Sequence, residues 1–418
     1  YLFVLGIIVL VGVFAGSYPA LLLSSFSPIE SLKGKLRVGK NGALFRKTLV
    51  VFQFGISVLL IISVTIVMKQ MHYVQHTDLG FSKEQAMIVR FDNSTIRQNR
   101  EQFKAMLERD PGVSVVSLMT GEPGGFHDSY GFEAQGKPGE KLMLSTEFAD
   151  FDYAKTLELT IVAGRDFSPQ FATDSSAAVM INRSAAALLG YTPAGAVGKW
   201  IKNISGDSVR RTIVGVVEDF HYASLKSVIG PLVISTKKED RRLALIKLKA
   251  GQLEETISRI AKIYNAEAPG YPFEYDFLDQ RFDKLYKSEI RQESLLGIFS
   301  GIAICIACLG LFGLASYTAV KRTKEIGVRK VLGSSVENIV LLLSKDLLKP
   351  VLLGTIIAIP AGYFIMEKWL QGFAYRVAIH WWFFVMAAMI GVAIAVVTVS
   401  LQAIKAARAN PVSSLRTE

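Results

Sequence analysis

Lys321-Arg322-Thr323-Lys324-Glu325-Ile326-Gly327-Val328-Arg329-Lys330-Val331-Leu332-Gly333-Ser334-Ser335 is short, basic and amphipathic, and it stands between two long apolar runs. A soluble protein seldom needs that arrangement. A membrane protein that passes force to something in the cytoplasm does. On a helix, Ile326, Val328, Val331 and Leu332 form an apolar side, and Lys324, Arg329 and Lys330 a cationic one. Gly327 permits close approach, and Gly333 a helix end.

Working outward, five stretches are long and apolar enough to cross a bilayer, which takes ~20 residues of helix. They are 1–23, 49–68, 295–320, 347–366 and 381–404. Pro350 and Pro360 interrupt the fourth, which membrane helices tolerate when neighbours satisfy the freed carbonyls. Of the charged residues, 69–293 hold 29 Lys+Arg against 30 Asp+Glu, whereas the rest of the chain holds 18 against 6. The net +11 therefore lies in the apolar parts and their short loops. That is the positive-inside pattern, and it excludes a nucleic-acid groove as the source of the basic pI. The loop 24–48, the segment 321–346 and the tail 405–418 are basic and fall on one side, the cytoplasm. The connection 367–380 lies outside, with Trp369, Tyr375, Trp381 and Trp382 suited to an interfacial belt.

Residues 69–294 then form an external α+β domain carried on helical stalks, Lys69–His76 and Gln280–Arg291. Strands are predicted at 86–91, 113–118, 141–148, 178–181, 212–217, 232–235 and 243–248. Helices are predicted at 96–108, with Asn93 or Ser94 as N-cap, and at 183–189 and 253–267. The fold class is an α-helical membrane protein with five transmembrane helices and a large α+β extracytoplasmic domain.

The residues carry no chemistry of their own. Nothing fits G-x-x-x-x-G-K-[ST], so the chain is not expected to hydrolyse ATP. Cys305 and Cys308 form a C-x-x-C, but inside an apolar helix they read as buried packing residues. Gly297 and Gly301 form a G-x-x-x-G that Cys305 extends, a small-residue face for helix contact in lipid. It serves either the other half of a duplicated protein or the same bundle. His72 and His76 at i, i+4 are too few for a metal. Glu218-Asp219 near His221 reads as a turn after a strand rather than an acid–base site. No catalytic, cofactor or metal site is expected.

The stretches 24–33 and 407–416 align on Pro28 and Pro411, each following a span with polar-Pro-β-branched-x-Ser-Leu-basic. This reads as a duplicated unit. The chain, opening on Tyr inside an apolar run, reads as the last span of one copy and all of the next. The missing N-terminal repeat would be its pseudo-dimer partner.

The order of spans, external domain, K-R-T-K-E-I-G-V-R-K-V-L-G-S-S segment and short Asn-Pro tail resembles the FtsX-like permeases of ABC transporters. The nearest resemblance is to the macrolide-exporter and lipoprotein-release type, in the duplicated form common in Bacteroidetes. Further matching stretches are Leu79-Gly80-Phe81, Ala163-Gly164-Arg165-Asp166-Phe167 and Val214–His221. The resemblance implies a non-catalytic permease subunit of the bacterial inner membrane with a MacB-like periplasmic core domain. Its partners would be membrane lipid and a separate cytoplasmic ABC ATPase dimer. Lys324, Glu325, Ile326, Gly327, Arg329, Lys330, Leu332 and Gly333 would make the coupling helix. ATP-driven movement would serve export or release of a peptide, macrolide or lipoprotein-like substrate. The alternative is mechanotransmission to an external partner such as a cell-wall hydrolase.

Overall fold

The structure is a computed structural model that describes residues 40–408 apart from 92–93, 126 and 238–240, together with residues 5–6, 9–10, 12–13 and 16–17. Of the expected spans, 1–23 lies largely outside the described residues, as do the two stretches of the internal repeat. Four helices long and apolar enough to cross a membrane are described. They are α1 (Lys40–His76), α9 (Lys287–Lys321), α11 (Val336–Leu370) and α12 (Trp381–Arg408). Pro350 and Pro360 both lie within α11 without ending it.

Between α1 and α9 the chain forms eleven strands, β1 (Ala86–Arg90), β2 (Val113–Met119), β3 (Ser129–Ala134), β4 (Lys137–Phe148), β5 (Ile161–Gly164), β6 (Ala178–Asn182), β7 (Trp200–Asn203), β8 (Arg210–Val217), β9 (Leu232–Ser235), β10 (Leu243–Leu248) and β11 (Tyr275–Phe277). The helices there are α2 (Ser94–Gln98), α3 (Arg100–Glu108), α4 (Tyr153–Leu157), α5 (Arg183–Leu189), α6 (Pro193–Ala196), α7 (Leu253–Glu267) and α8 (Leu278–Leu285). A nine-residue helix, α10 (Thr323–Val331), joins α9 to α11.

All seven expected strands form. The four that sequence reading missed, β3, β5, β7 and β11, are short or carry polar and glycine residues that blunt the alternation. The expected helix 96–108 is two helices parted at Asn99, with Ser94 as the first helical residue. The stalk 280–291 is likewise not continuous, because α8 ends at Leu285 and α9 begins at Lys287.

The chain divides into two compact units, one of Tyr1–Leu59, Gly301–Ile359 and Met386–Glu418, the other of Leu60–Ser300 and Pro360–Val385. The second holds two sheets. One is antiparallel, in the order β11-β1-β10-β2. Phe91, Phe103, Ile246, Ile260 and Tyr264 fill its core under α3 and α7. Arg259 ties α7 to the turn after α3, its Nε and Nη2 donating to Asp110 at 2.7 and 2.9 Å. The other sheet is mixed, in the order β5-β8-β6-β9-β4-β3-β7, and β7 also pairs with β8, so it closes on itself. α5 and α6 contribute Ala185, Ala186, Leu189 and Ala196 to its core.

Glycine permits one close pairing here. Gly164 at φ +75° pairs with Gly215 across β5 and β8. A Cβ on Gly164 would strike the Val214 carbonyl, and one on Gly215 the Arg165 carbonyl. Beside that pair, Arg165 Nη1 and Nη2 donate to the buried Asp174 at 2.5 and 2.9 Å, and the Ser168 N–H adds a third bond at 3.0 Å. Burial alone would raise the Asp174 carboxyl, but these bonds outweigh it and hold it below its ordinary range.

In the first unit, Val50 and Phe54 of α1, Ala307 and Leu311 of α9, Leu347 and Val351 of α11, and Ala395 and Val399 of α12 make one apolar core. Lipid tails are as apolar as these side chains, so helix association depends on close packing instead. A Cβ on Gly354 would sit 2.5 Å from the Val51 carbonyl, and one on Gly55 would sit 3.5 Å from the Gly354 carbonyl. α1 and α11 therefore meet backbone to backbone.

Gly354→Val should cost about 1–3 kcal/mol through overpacking. Gly313→Val, where an added Cβ meets nothing within 4 Å, should shift stability by less than about 0.5 kcal/mol. Thermal unfolding of the purified chain in detergent compares the two. Asp174→Asn should cost about 1.5–3 kcal/mol at pH 7, the worth of hydrogen bonds to a charged group. Its native carboxyl lies below the ordinary 3.8, so the stabilisation is present above that value and is lost as pH falls through the native one. Denaturant titrations at pH 7 and pH 3 should show the variant's deficit shrinking at the lower pH.

Candidate functional site

The basic segment folds as α10, and its C-terminal end follows from one residue. Gly333 has φ +85°. Its N–H donates to Lys330 O at 3.1 Å, and the Ser334 N–H donates to Arg329 O at 2.9 Å. Those two bonds form a Schellman cap, which wants glycine in the left-handed position. Ile326 is buried against Ile339, Leu343 and Ala403, and so holds α10 to α11 and α12. Gly327 is buried next to it.

The expected apolar side is divided. Ile326 faces inward, whereas Val328 is 49% and Leu332 79% exposed. At i and i+4 these two form an exposed apolar stripe, because nine residues offer only one face to the bundle. Glu325 and Arg329 flank the stripe as an i, i+4 ion pair at 3.0 Å. Arg322, at the junction of α9 and α10, donates to Asp346 of α11 at 2.9 Å. Lys324 lies in the first turn of α10 and Lys330 is half-buried in its last.

Gly297 and Gly301 lie on α9, and a Cβ added to either would meet nothing within 4 Å. Cys305 is exposed and Cys308 half-exposed, contrary to the expected buried pair, because their face of α9 has no neighbouring helix among the described residues. The close approach within the bundle is made instead by Gly55 and Gly354, which sit in no recognisable motif. A G-x-x-x-G spacing marks a surface that admits a neighbour, and only packing decides whether one is present.

A second group of motif residues assembles in the domain unit. Gly80, at φ +77°, lies against the Asp219 carbonyl and Phe220, where a Cβ would be 3.0 Å from each. The His221 N–H donates to Leu79 O at 2.8 Å, and Phe81 packs edge-on to Phe220 at 6.3 Å. Leu79-Gly80-Phe81 and Asp219-Phe220-His221 are thus one packed turn, placed just beyond the end of α1. Glu218 pairs with Arg183. Asp219 accepts from the Ser184 N–H at 2.9 Å and from Ser184 Oγ at 2.7 Å, so both acids serve the start of α5. The His221 ring packs on Tyr375 with centroids 4.6 Å apart. Burial lowers its pKa, against a weaker pull from Asp78. Tyr375, expected in an interfacial belt, is therefore a contact of the domain.

Buried His127 Nε2 lies 3.0 Å from Glu147 without hydrogen-bond geometry, while the Glu147 carboxylate accepts from the Thr120 and Gly121 N–H groups at 3.0 Å and so ties the turn after β2 to β4. A cleft of about 340 Å³ beside β11 holds Arg90 and Arg281, but both pair with Glu122. His76 Nδ1 lies 2.9 Å from the His72 carbonyl, a local contact along α1. No group of three metal-ligating side chains occurs among the described residues.

Residues 54–263 match the family model of the MacB-like periplasmic core domain, half of the chain, and residues 297–411 match that of the FtsX-like permease C-terminal region. No curated protein is similar enough to count as a match. Among solved structures, the chain is similar to the periplasmic region of MacB from Actinobacillus actinomycetemcomitans. That likeness has 13% identity and a TM-score of 0.36, covering 49% of this chain and 94% of that one. A domain of a permease protein from Porphyromonas gingivalis shows 16% identity and a TM-score of 0.33, with 47% and 89% covered. The extracellular domain of the noncanonic ABC-type transporter YknZ from Gram-positive bacteria shows 14% and 0.34, with 46% and 97% covered. Membership rests on the two family models rather than on these likenesses. With its apolar helices and its external α+β domain, the chain is a multi-pass membrane protein with a large periplasmic domain, and it belongs to the FtsX/MacB type of ABC-transporter permease.

Proposed function

We propose that this permease couples ATP hydrolysis by a separate cytoplasmic ABC ATPase dimer to movement of its periplasmic domain, for export or release of a substrate. The observation that carries the reading is the exposed Val328–Leu332 stripe on α10, flanked by the Glu325–Arg329 pair. An apolar strip rimmed by charge on an otherwise polar surface is the composition of a protein contact. Ile326 anchors the other side of α10, so a push on the stripe is borne by α11 and α12 rather than absorbed by a loose loop. Gly297, Gly301 and Cys305 on α9 leave room for a partnering membrane helix.

A second reading, mechanotransmission to an external partner without transport, is favoured by the filled core of the bundle. Its four helices close on apolar side chains. Substrate passing between them would have to displace that packing. Movement of whole helices would not.

Purified from membranes of its own organism, the full chain should retain an ABC ATPase identifiable by mass spectrometry. Leu332→Asp, which puts a charge into the stripe, should lower the recovered ATPase at least about tenfold, the effect of losing one well-buried contact residue. Arg329→Glu should lower it too, by breaking the ion pair and reversing the local charge. Equal recovery with both variants would rule out docking through α10. In the reconstituted complex, stimulation of ATP hydrolysis by a small amphiphilic substrate supports export, and stimulation by a periplasmic protein alone supports mechanotransmission.

A further inference from the structure

The connection between α11 and α12, residues 371–380, needs only to reverse the chain. Its backbone is instead bonded on two sides. On one side stands Gln70 of α1, which is 0% exposed. Its Nε2 donates to the Tyr375 carbonyl at 3.0 Å, and its Oε1 accepts from the Val377 N–H at 2.9 Å. Glutamine is rarely fully buried, and here both ends of the amide serve backbone 305 and 307 positions away. On the other side, the N–H groups of Ala374 and Tyr375 donate to the carbonyls of Lys226 and Leu225 at 3.3 and 3.2 Å. The Tyr375 hydroxyl accepts from the Ile229 N–H at 3.3 Å.

The segment 224–229 that receives those bonds is held a second time, at the break between α8 and α9. The buried Tyr286 hydroxyl accepts from the Leu225 N–H at 2.8 Å and lies 3.1 Å from Ser224 Oγ. Lys226 Nζ reaches Glu289, in the first turn of α9, at 2.6 Å. Just before it His221 is bonded to Leu79, and just after it the chain runs into β9. In the seven-stranded sheet β9 lies between β6 and β4.

We propose that residues 221–231 are a clasp through which three helix-borne anchors act on the seven-stranded sheet as one unit. The anchors are Gln70 on α1, Tyr286 at the start of α9, and the loop between α11 and α12. Hydrogen bonds that follow one another along one backbone are expected to open together, because they meet at the buried Gln70, Leu225 and Tyr286, where a lost partner is not replaced by water. The loop 371–380 is then a transmission element in its own right, beside the two helices that lead into the domain. Its mechanical use rests on the ATP-driven movement proposed above. The coupling does not, and it is read without any ATPase.

Hydrogen–deuterium exchange on the full chain in lipid nanodiscs tests it directly, since six of the bonds are donated by backbone N–H groups. Gln70→Ala removes the anchor on α1. Tyr286→Phe removes one oxygen and keeps the ring. Each variant should speed exchange about tenfold in peptides covering 221–231 and also in those covering 371–380, with β1 and β10 unchanged, the signature of a local cooperative unit. If Gln70→Ala accelerates only 371–380 and Tyr286→Phe only 221–231, the anchors are independent and the proposal fails. Unchanged exchange in both, or acceleration throughout the domain, overturns it equally. Should Gln70→Ala fail to fold, the reach of Tyr286→Phe into 371–380 decides alone. Failure of α10 to bind an ATPase would leave this result untouched.

Discussion

Hydrocarbon offers no hydrogen bonds, so each backbone N–H and C=O within a bilayer must find its partner inside the chain. That constraint makes α1, α9, α11 and α12 continuous helices of 28 to 37 residues. It also removes the driving force that would press them together, because apolar side chains gain little by leaving lipid for one another. What holds α1 to α11 is therefore proximity, which Gly55 and Gly354 supply by having no side chain. Where the helices end, the backbone needs other partners. The connection 371–380 finds part of its backbone partners locally and part on Gln70, which is buried whole.

The two ends of α9 illustrate how discontinuities become useful. It is a single helix from Lys287 to Lys321. It begins one residue after Tyr286, whose hydroxyl bonds the segment leading to β9, and it ends one residue before Arg322, which bonds Asp346 and opens α10. The breaks at Tyr286 and Arg322 place polar groups where the next element needs them.

Much of this was legible in the sequence. The apolar runs, the excess of Lys and Arg around them and the E-I-G-x-R-K-x-L-G segment needed no tertiary information, since bilayer thickness and membrane topology read composition directly. The seven stronger strands showed the expected β-branched content. Illegible were the elements whose residues look alike in a loop and in a strand, such as Tyr275–Phe277, which pairs with β1 only because the sheet is already there. Tyr375 looked like an interfacial aromatic, since the sequence shows an amphipathic ring but not that His221 will lie beneath it. Leu79-Gly80-Phe81 and Asp219-Phe220-His221 carried resemblance without a stated reason. The structure supplies the reason: Gly80 packs on the backbone of the other motif.

The amino-acid sequence by itself determined the membrane class, the presence of an external α+β domain and the absence of a phosphate-binding loop, because each follows from local composition and spacing. Only the tertiary structure decided which glycines close the bundle, that Ile326 turns inward while Val328 and Leu332 stay exposed, and that the short segment 224–229 is bonded both to Tyr286 and to the loop 371–380. Those outcomes depend on partners hundreds of residues away along the chain. A hydrogen bond such as that from Gln70 to Tyr375 exists only once folding has removed both groups from water and left each no other partner.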